Sequence, residues 1–296
     1  MVFAARAISA LMTSMMLCEP AFAGATTPDF SGLWARQTFG LEPPPSGRGP
    51  VGPMPGTSAG NGGGGGNYLD PILKPEAAEV VKKRGDVLRS GLVYPNVSNQ
   101  CYPYPPPFIL ATNQAVEFAQ LEQEVVILAM FDNQVRRVRL NAQHPKKVTP
   151  SWYGDSIGHY EGETLVVDTV GIRVTPIAAI DGRAGAPYSA ALHVVERYRL
   201  IDSEAAKRAA ERAEKENGLI PGNSAIGDGV GVDLNYKGKG LQVEITVEDD
   251  GVFNAPWAAL VTYRRASGGW VERICAENTR EFGVERKPPR ADKPDF

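Results

Sequence analysis

Leu241, Val243, Ile245 and Val247 alternate with Gln242, Glu244, Thr246 and Glu248, and no other feature constrains the fold as tightly. A period of two puts the aliphatic side chains on one face of an extended strand and the polar ones on the other. Such a strand belongs to a sheet with one covered face and one wet face. The pattern recurs at 192–202, where Leu192, Val194, Glu196, Tyr198 and Leu200 oppose His193, Val195, Arg197 and Arg199. Glu196 is the exception in that row, a carboxylate among apolar partners. Runs at 116–121, 125–131 and 135–141 are also rich in strand formers, with Asp132-Asn133 marking a turn. Arg137 and Arg139 share one face of the third run. In a flat sheet that face is solvated; in a curled one either face can point inward. Residues 258–265 and 270–276 read as a terminal hairpin. Together these runs predict a single, mainly β domain over 27–296: a curled antiparallel sheet, or a barrel, with two helices outside it.

The rest of the chain punctuates that framework. Arg6, an apolar run at 7–17 and Ala21-Phe22-Ala23 predict a signal peptide over 1–23, and hence a periplasmic or secreted protein. Pro, Gly and Ser dominate 41–68, a composition with too little apolar area to offset its ordering entropy, so a flexible loop is expected. Lys74-Pro75 opens a helix with acids early and bases late. Ser203 caps a second, solvated, Ala-rich helix that Gly218 ends, and 203–240 reads as an insertion. After Arg286 the tail is basic and contains proline, and it reads as loose. The Pro-rich stretch 101–107 is stiff and extended. Export makes a Cys101–Cys275 disulfide expected, with two buried thiols as the alternative; closing so long a loop has an upper bound of ~5 kcal/mol in chain entropy. The formal charge is only −3, with both signs mixed throughout. That excludes the basic stripe of a nucleic-acid binder, and no segment of the mature chain is long and apolar enough to span a bilayer.

Chemistry concentrates in Pro150–Thr169, P-S-W-Y-G-D-S-I-G-H-Y-E-G-E-T-L-V-V-D-T. Gly154, Gly158 and Gly162 suggest a tight loop with positive φ or a close backbone approach, feeding a strand from Glu163. A plain β-hairpin, with Asp155, Ser156 and Asp168 bonded to turn amides, is the alternative. His144, His159 and His193 fall within one short region. His159, Glu161, Asp168, His193 and Glu196 are the candidates for acid–base catalysis. Trp152, Asp155, Ser156, Arg137, Arg139 and Trp257 are the candidates for ligand binding. His159, Glu161, His193 and Glu196 would also suit a divalent metal, but no metal motif is present and no cofactor is predicted. Gly154-x-Ser156-x-Gly158 spells a nucleophile elbow, yet that elbow needs a preceding strand and a following helix, and here Thr149-Pro150-Ser151-Trp152 precedes it.

W-Y-G-D-S-I-G-H-Y-E-G-E-T-L-V-V-D-T at 152–169, L-H-V-V-E-R-Y at 192–198, V-E-I-T-V-E-D-D at 243–250, P-W at 256–257 and C-A-E-N at 275–278 resemble a family of secreted bacterial proteins of unassigned function. Where its members tend to carry histidine ahead of L-H-V-V-E-R-Y, this chain has Tyr188. Gly32-x-Trp34 is similar to the opening of lipocalin-type barrels, in which a Trp plugs one end. The reading that follows is an exported binder of a small molecule. Its alternative is a cofactor-independent lyase, isomerase or hydrolase. Either one requires the bend after Trp152 and the His193–Glu196 segment to face one hollow.

Overall fold

A computed structural model describes residues 27–57, 65–177, 179–182, 185–217, 230–275, 280–281 and 284–285. The expected signal peptide, the whole tail after Arg286, the Gly218 helix stop with residues 219–229 of the expected insertion, and the middle of the Gly-rich run lie outside them. In chain order the elements are β1 (Gly32–Ala35), α1 (Pro75–Arg89), β2 (Val116–Gln120), β3 (Glu124–Ala129), β4 (Gln134–Leu140), β5 (Asp155–Glu161), β6 (Thr164–Val170), β7 (His193–Ile201), α2 (Ser203–Asn217), β8 (Gly231–Val232), β9 (Gly240–Glu248) and β10 (Trp257–Ser267), followed by the short pair β11 (Arg280–Glu281) and β12 (Val284–Glu285).

Nine strands close into a barrel in the order β1-β2-β3-β4-β5-β6-β7-β9-β10, with β10 returning to β1 through Trp34↔Arg265. β8 adds to β10 outside that ring. The expectation of an antiparallel sheet holds for every neighbouring pair of the ring but one. β4 and β5 run parallel, through Arg139↔Ile157 and Leu140↔Gly158 only. A parallel pair needs a crossover where a hairpin would not do, and residues 141–154 supply it. The predicted terminal hairpin is not formed either: residues 270–274 are not a strand, and β10 takes β9 and β1 as its partners instead.

The barrel is filled. Inward-facing Leu241, Val243, Ile245 and Val247 are wholly buried, as are Trp34, Leu165, Val167, Val194, Tyr198, Ala259 and Val261. Trp34 donates its indole N–H to the Phe30 carbonyl at 2.8 Å, and the Arg265 guanidinium lies 3.8 Å from its ring centroid. Outside, the Pro-rich strap packs Tyr104 between Phe108 and Phe131, at centroid distances of 4.8 and 4.7 Å. Cys101 is bonded to Cys275, 174 residues away. Residues 41–57 lie against the wall and do not form the free loop that their composition suggests. Glu42 and Leu260 exchange two backbone hydrogen bonds, and Ala258 N–H bonds to the Arg48 carbonyl.

Both helices sit outside the ring, as expected. In α1 Pro75 occupies the first turn, Glu76 lies early and Arg89 late. In α2 the capping group is Asp202 rather than Ser203: its carboxylate accepts the Ala205 N–H at 2.7 Å. Nor is α2 wholly solvated, because Ala206, Ala209 and Ala213 are buried against the barrel. Gly240 makes that approach feasible, since a Cβ there would sit 2.4 Å from the Ala206 Cβ and 3.1 Å from the Tyr263 carbonyl oxygen. Overpacking of this kind costs about 1–3 kcal/mol. Gly240→Ala is therefore expected to lower the unfolding free energy by that amount in chemical denaturation, while Gly56→Ala, with open space around it but positive φ, leaves the position of α2 unchanged.

Candidate functional site

The chemistry-rich stretch folds as the hairpin β5–β6 and not as a loop before a strand. Its three glycines do three separate jobs. Gly154 (φ 67°) turns the chain into β5, and Gly162 (φ 60°) makes the hairpin turn. Gly158 is a mid-strand close approach, where a Cβ would lie 2.8 Å from Val138 Cγ1. Asp155, Ser156 and Asp168 do not bond to turn amides. The pleat sends Ser156 and Thr169 into the barrel and Asp155, His159, Glu161 and Asp168 out.

The inward group centres on Arg136, 1 % exposed. Its Nη1 donates to Glu196 Oε1 at 2.9 Å, and its Nη2 lies 2.7 Å from Glu196 Oε2. The same Nη2 donates to Thr169 Oγ1 at 2.8 Å and Nε to Ser156 Oγ at 3.3 Å, while the two hydroxyls are 3.0 Å apart. One residue comes from each of β4, β5, β6 and β7. Burial works against the guanidinium charge, but Glu196 and Tyr198 together more than offset it, so the Arg136 pKa is raised. Burial, joined by the Glu196 charge, also holds the Tyr198 phenol well above its ordinary value. Glu196 is wholly buried, so the geometry makes it the counter-ion of Arg136 and parts it from the histidines.

A second set runs across the outer wall. Arg139 on β4 grips Asp155 on β5 at 2.7 and 2.9 Å. His144, carried by the 141–154 crossover, sits between Asp155 (Nδ1 to Oδ1, 2.6 Å) and Asp168 on β6 (Nε2 to Oδ1, 3.0 Å). His193 on β7 follows, between the same Asp168 oxygen at 3.1 Å and Glu248 on β9 at 3.4 Å. The row thus runs Arg139, Asp155, His144, Asp168, His193, Glu248 across five strands, with each imidazole placed between two carboxylates. Partial burial disfavours the charge on His144, but Asp155 and Asp168 outweigh it and raise its pKa. Among the described residues no group of three His, Cys, Asp or Glu is arranged to hold a metal ion.

The remaining candidates disperse. His159 and Glu161 are about half exposed and 3.1 Å apart. Glu161 also pairs with Arg197 at 2.5 Å, and its pKa is lowered by Arg197 first and His159 second. Arg137 pairs with Glu124 on the surface. Trp152 stacks on Tyr102 at 5.2 Å, below Arg173. Trp257 is buried edge-on to Phe253 and belongs to the core. Tyr188 is also core, its hydroxyl bonded to the Arg173 carbonyl at 2.9 Å. The bend after Trp152 and the His193–Glu196 segment are thus neighbours across β6, but they share no hollow: Glu196 faces in, and His193 faces out.

Concave space lies elsewhere. A cleft of about 420 Å³ opens between α2 and the outer wall, with Arg208 and Arg212 of α2 on one side, Arg199, Gln242 and Glu244 of β7 and β9 on the other, and Leu260 of β10 as part of the floor. Pro44, Pro45 and Ser46 form its rim. A second cleft of about 350 Å³, lined by Asp29, Glu163 and Lys239, also meets Arg199. No residue of the His–carboxylate row lines either one. Sequence reasoning missed Arg136, although it lies in phase with Val138 and Leu140 as Glu196 does with Val194 and Tyr198. It also missed the cleft arginines, whose neighbours come from three distant segments. Compared with protein-family models, curated proteins and solved structures, the chain matches none of them.

Removing one member of a buried ion pair strands the other, at about 3–5 kcal/mol. Glu196→Gln is expected to lose stability in that range in urea titrations, whereas Arg136→Met combined with Glu196→Leu recovers most of it. For His144 the folded pKa lies above its ordinary 6.5, so its contribution is complete below about that pH and lost as pH rises through the folded value. Melting temperature should therefore fall across that window in the wild type, and the fall should flatten in His144→Gln.

Proposed function

We propose that this chain is an exported protein that binds a small molecule in the cleft between α2 and the barrel wall. The observation that carries the reading is the cleft itself. Its volume of about 420 Å³ falls in the range of small-ligand sites, and it combines apolar floor with a few convergent polar groups. The barrel interior, the usual ligand space of such folds, is occupied by the protein's own side chains. Export is supported by the leader-like N-terminal sequence and by the Cys101–Cys275 bond, which suits an oxidising compartment. Among the described residues no helix is long and apolar enough to cross a membrane.

An acid–base enzyme needs its donor and acceptor within reach of one bound substrate. His159 and Glu161 stand in solvent, Glu196 is sealed in the core, and His193 is held between two carboxylates. That arrangement favours binding over catalysis. The test is native mass spectrometry of the protein collected after export. A bound small molecule is expected in the wild type and in His193→Gln, and it should vanish in Ala205→Trp, where an indole fills the cleft from α2. Retention of the adduct by Ala205→Trp places the site elsewhere and overturns the proposal.

A further inference from the structure

We infer that the cleft selects an organic anion: a carboxylate attached to an apolar body. The inference rests on the cleft being the ligand site. Three guanidinium groups, those of Arg199, Arg208 and Arg212, line it against the single carboxylate of Glu244. Elsewhere on the same outer wall Arg137 is matched by Glu124, Arg139 by Asp155 and Arg197 by Glu161. Among the described residues no ion pair is formed by Arg199, Arg208 or Arg212. Arg199 instead donates to the neutral Gln242 Oε1 at 2.7 Å.

Two further observations point to a missing negative partner. Arg208 and Arg212 are one turn apart on α2, a spacing at which like charges repel and weaken a helix. Arg212 Nε is buried with no hydrogen-bond partner, and a buried donor left without an acceptor is destabilising. A carboxylate satisfies both conditions. Its two oxygens match the planar fork of a guanidinium, and its charge relieves the repulsion along α2. The other end of the ligand is specified by what faces it: Leu260, Ile201, Ala209 and the rings of Pro44 and Pro45 offer hydrocarbon and no further charge.

The probes are 2-naphthoate and its neutral isostere 2-naphthamide, titrated calorimetrically into the full mature chain at low ionic strength. The acid is expected to bind at least tenfold more tightly than the amide. Arg208→Gln with Arg212→Gln should erase that difference while leaving the weak amide binding in place, and a melting curve checks that the variant is folded. Arg208→Lys, which keeps the charge but not the fork, should retain part of the preference. Equal binding of acid and amide by the wild type overturns the inference while leaving the cleft as a ligand site, and so does a wild type that binds neither probe. Failure of the underlying reading shows separately, as an adduct that survives Ala205→Trp.

Discussion

The barrel depends on the bond between Arg136 and Glu196. The seam between β4 and β5 is parallel and held by only two register pairs, whereas β7 and β9 are matched at nine. Arg136 reaches inward from one side of that seam, touches Ser156 and Thr169, and ends on Glu196 three strands away. Hydrophobic packing alone is indifferent to sliding by two residues, because the same face stays inward. A charged pair with two hydroxyls of matched position is not. Its net contribution to stability is small, since burying each ion is costly; its effect is to fix which residues face one another.

The division between inside and outside decides how the polar residues behave. Along β5, β6 and β7 neighbouring residues point opposite ways, so chemistry that is adjacent in sequence is separated by the thickness of the wall. His193 and Glu196 are three apart and therefore lie on different faces. The outer set, from Arg139 to Glu248, is partly exposed, and its members are linked side chain to side chain along the wall. The inner set is dry, and its geometry is organised by charge pairing. Neither set lines the cleft of about 420 Å³, which is built where α2 and residues 44–46 lie over the wall.

Much of this was legible in the residues. The alternation at 241–248 and 192–202 gave strands with the expected inward faces, the expected Cys101–Cys275 disulfide is formed, and both helices lie where Pro75 and the Ala-rich run put them. Glu196 stood out in sequence for the reason that it matters in the fold. What was not legible depended on long-range geometry. A two-residue period says which side chains share a face, but it does not say which face is inside, and so Arg137 and Arg139 drew attention that belonged to Arg136. His144 reaches Asp155 and Asp168 only because the crossover at 141–154 folds back over the wall. The cleft joins residues near 45, 200, 210 and 260, and no local pattern announces such a meeting.

The parallel seam follows from parity. Around a closed ring, strand directions can alternate without fault only when the number of strands is even. Nine is odd, so somewhere two neighbours must point the same way, and the chain can move that fault but cannot remove it without gaining or losing a strand. Residues 141–154 exist to accommodate it, and His144 is carried to the outer wall on the segment that an even-numbered barrel would not need.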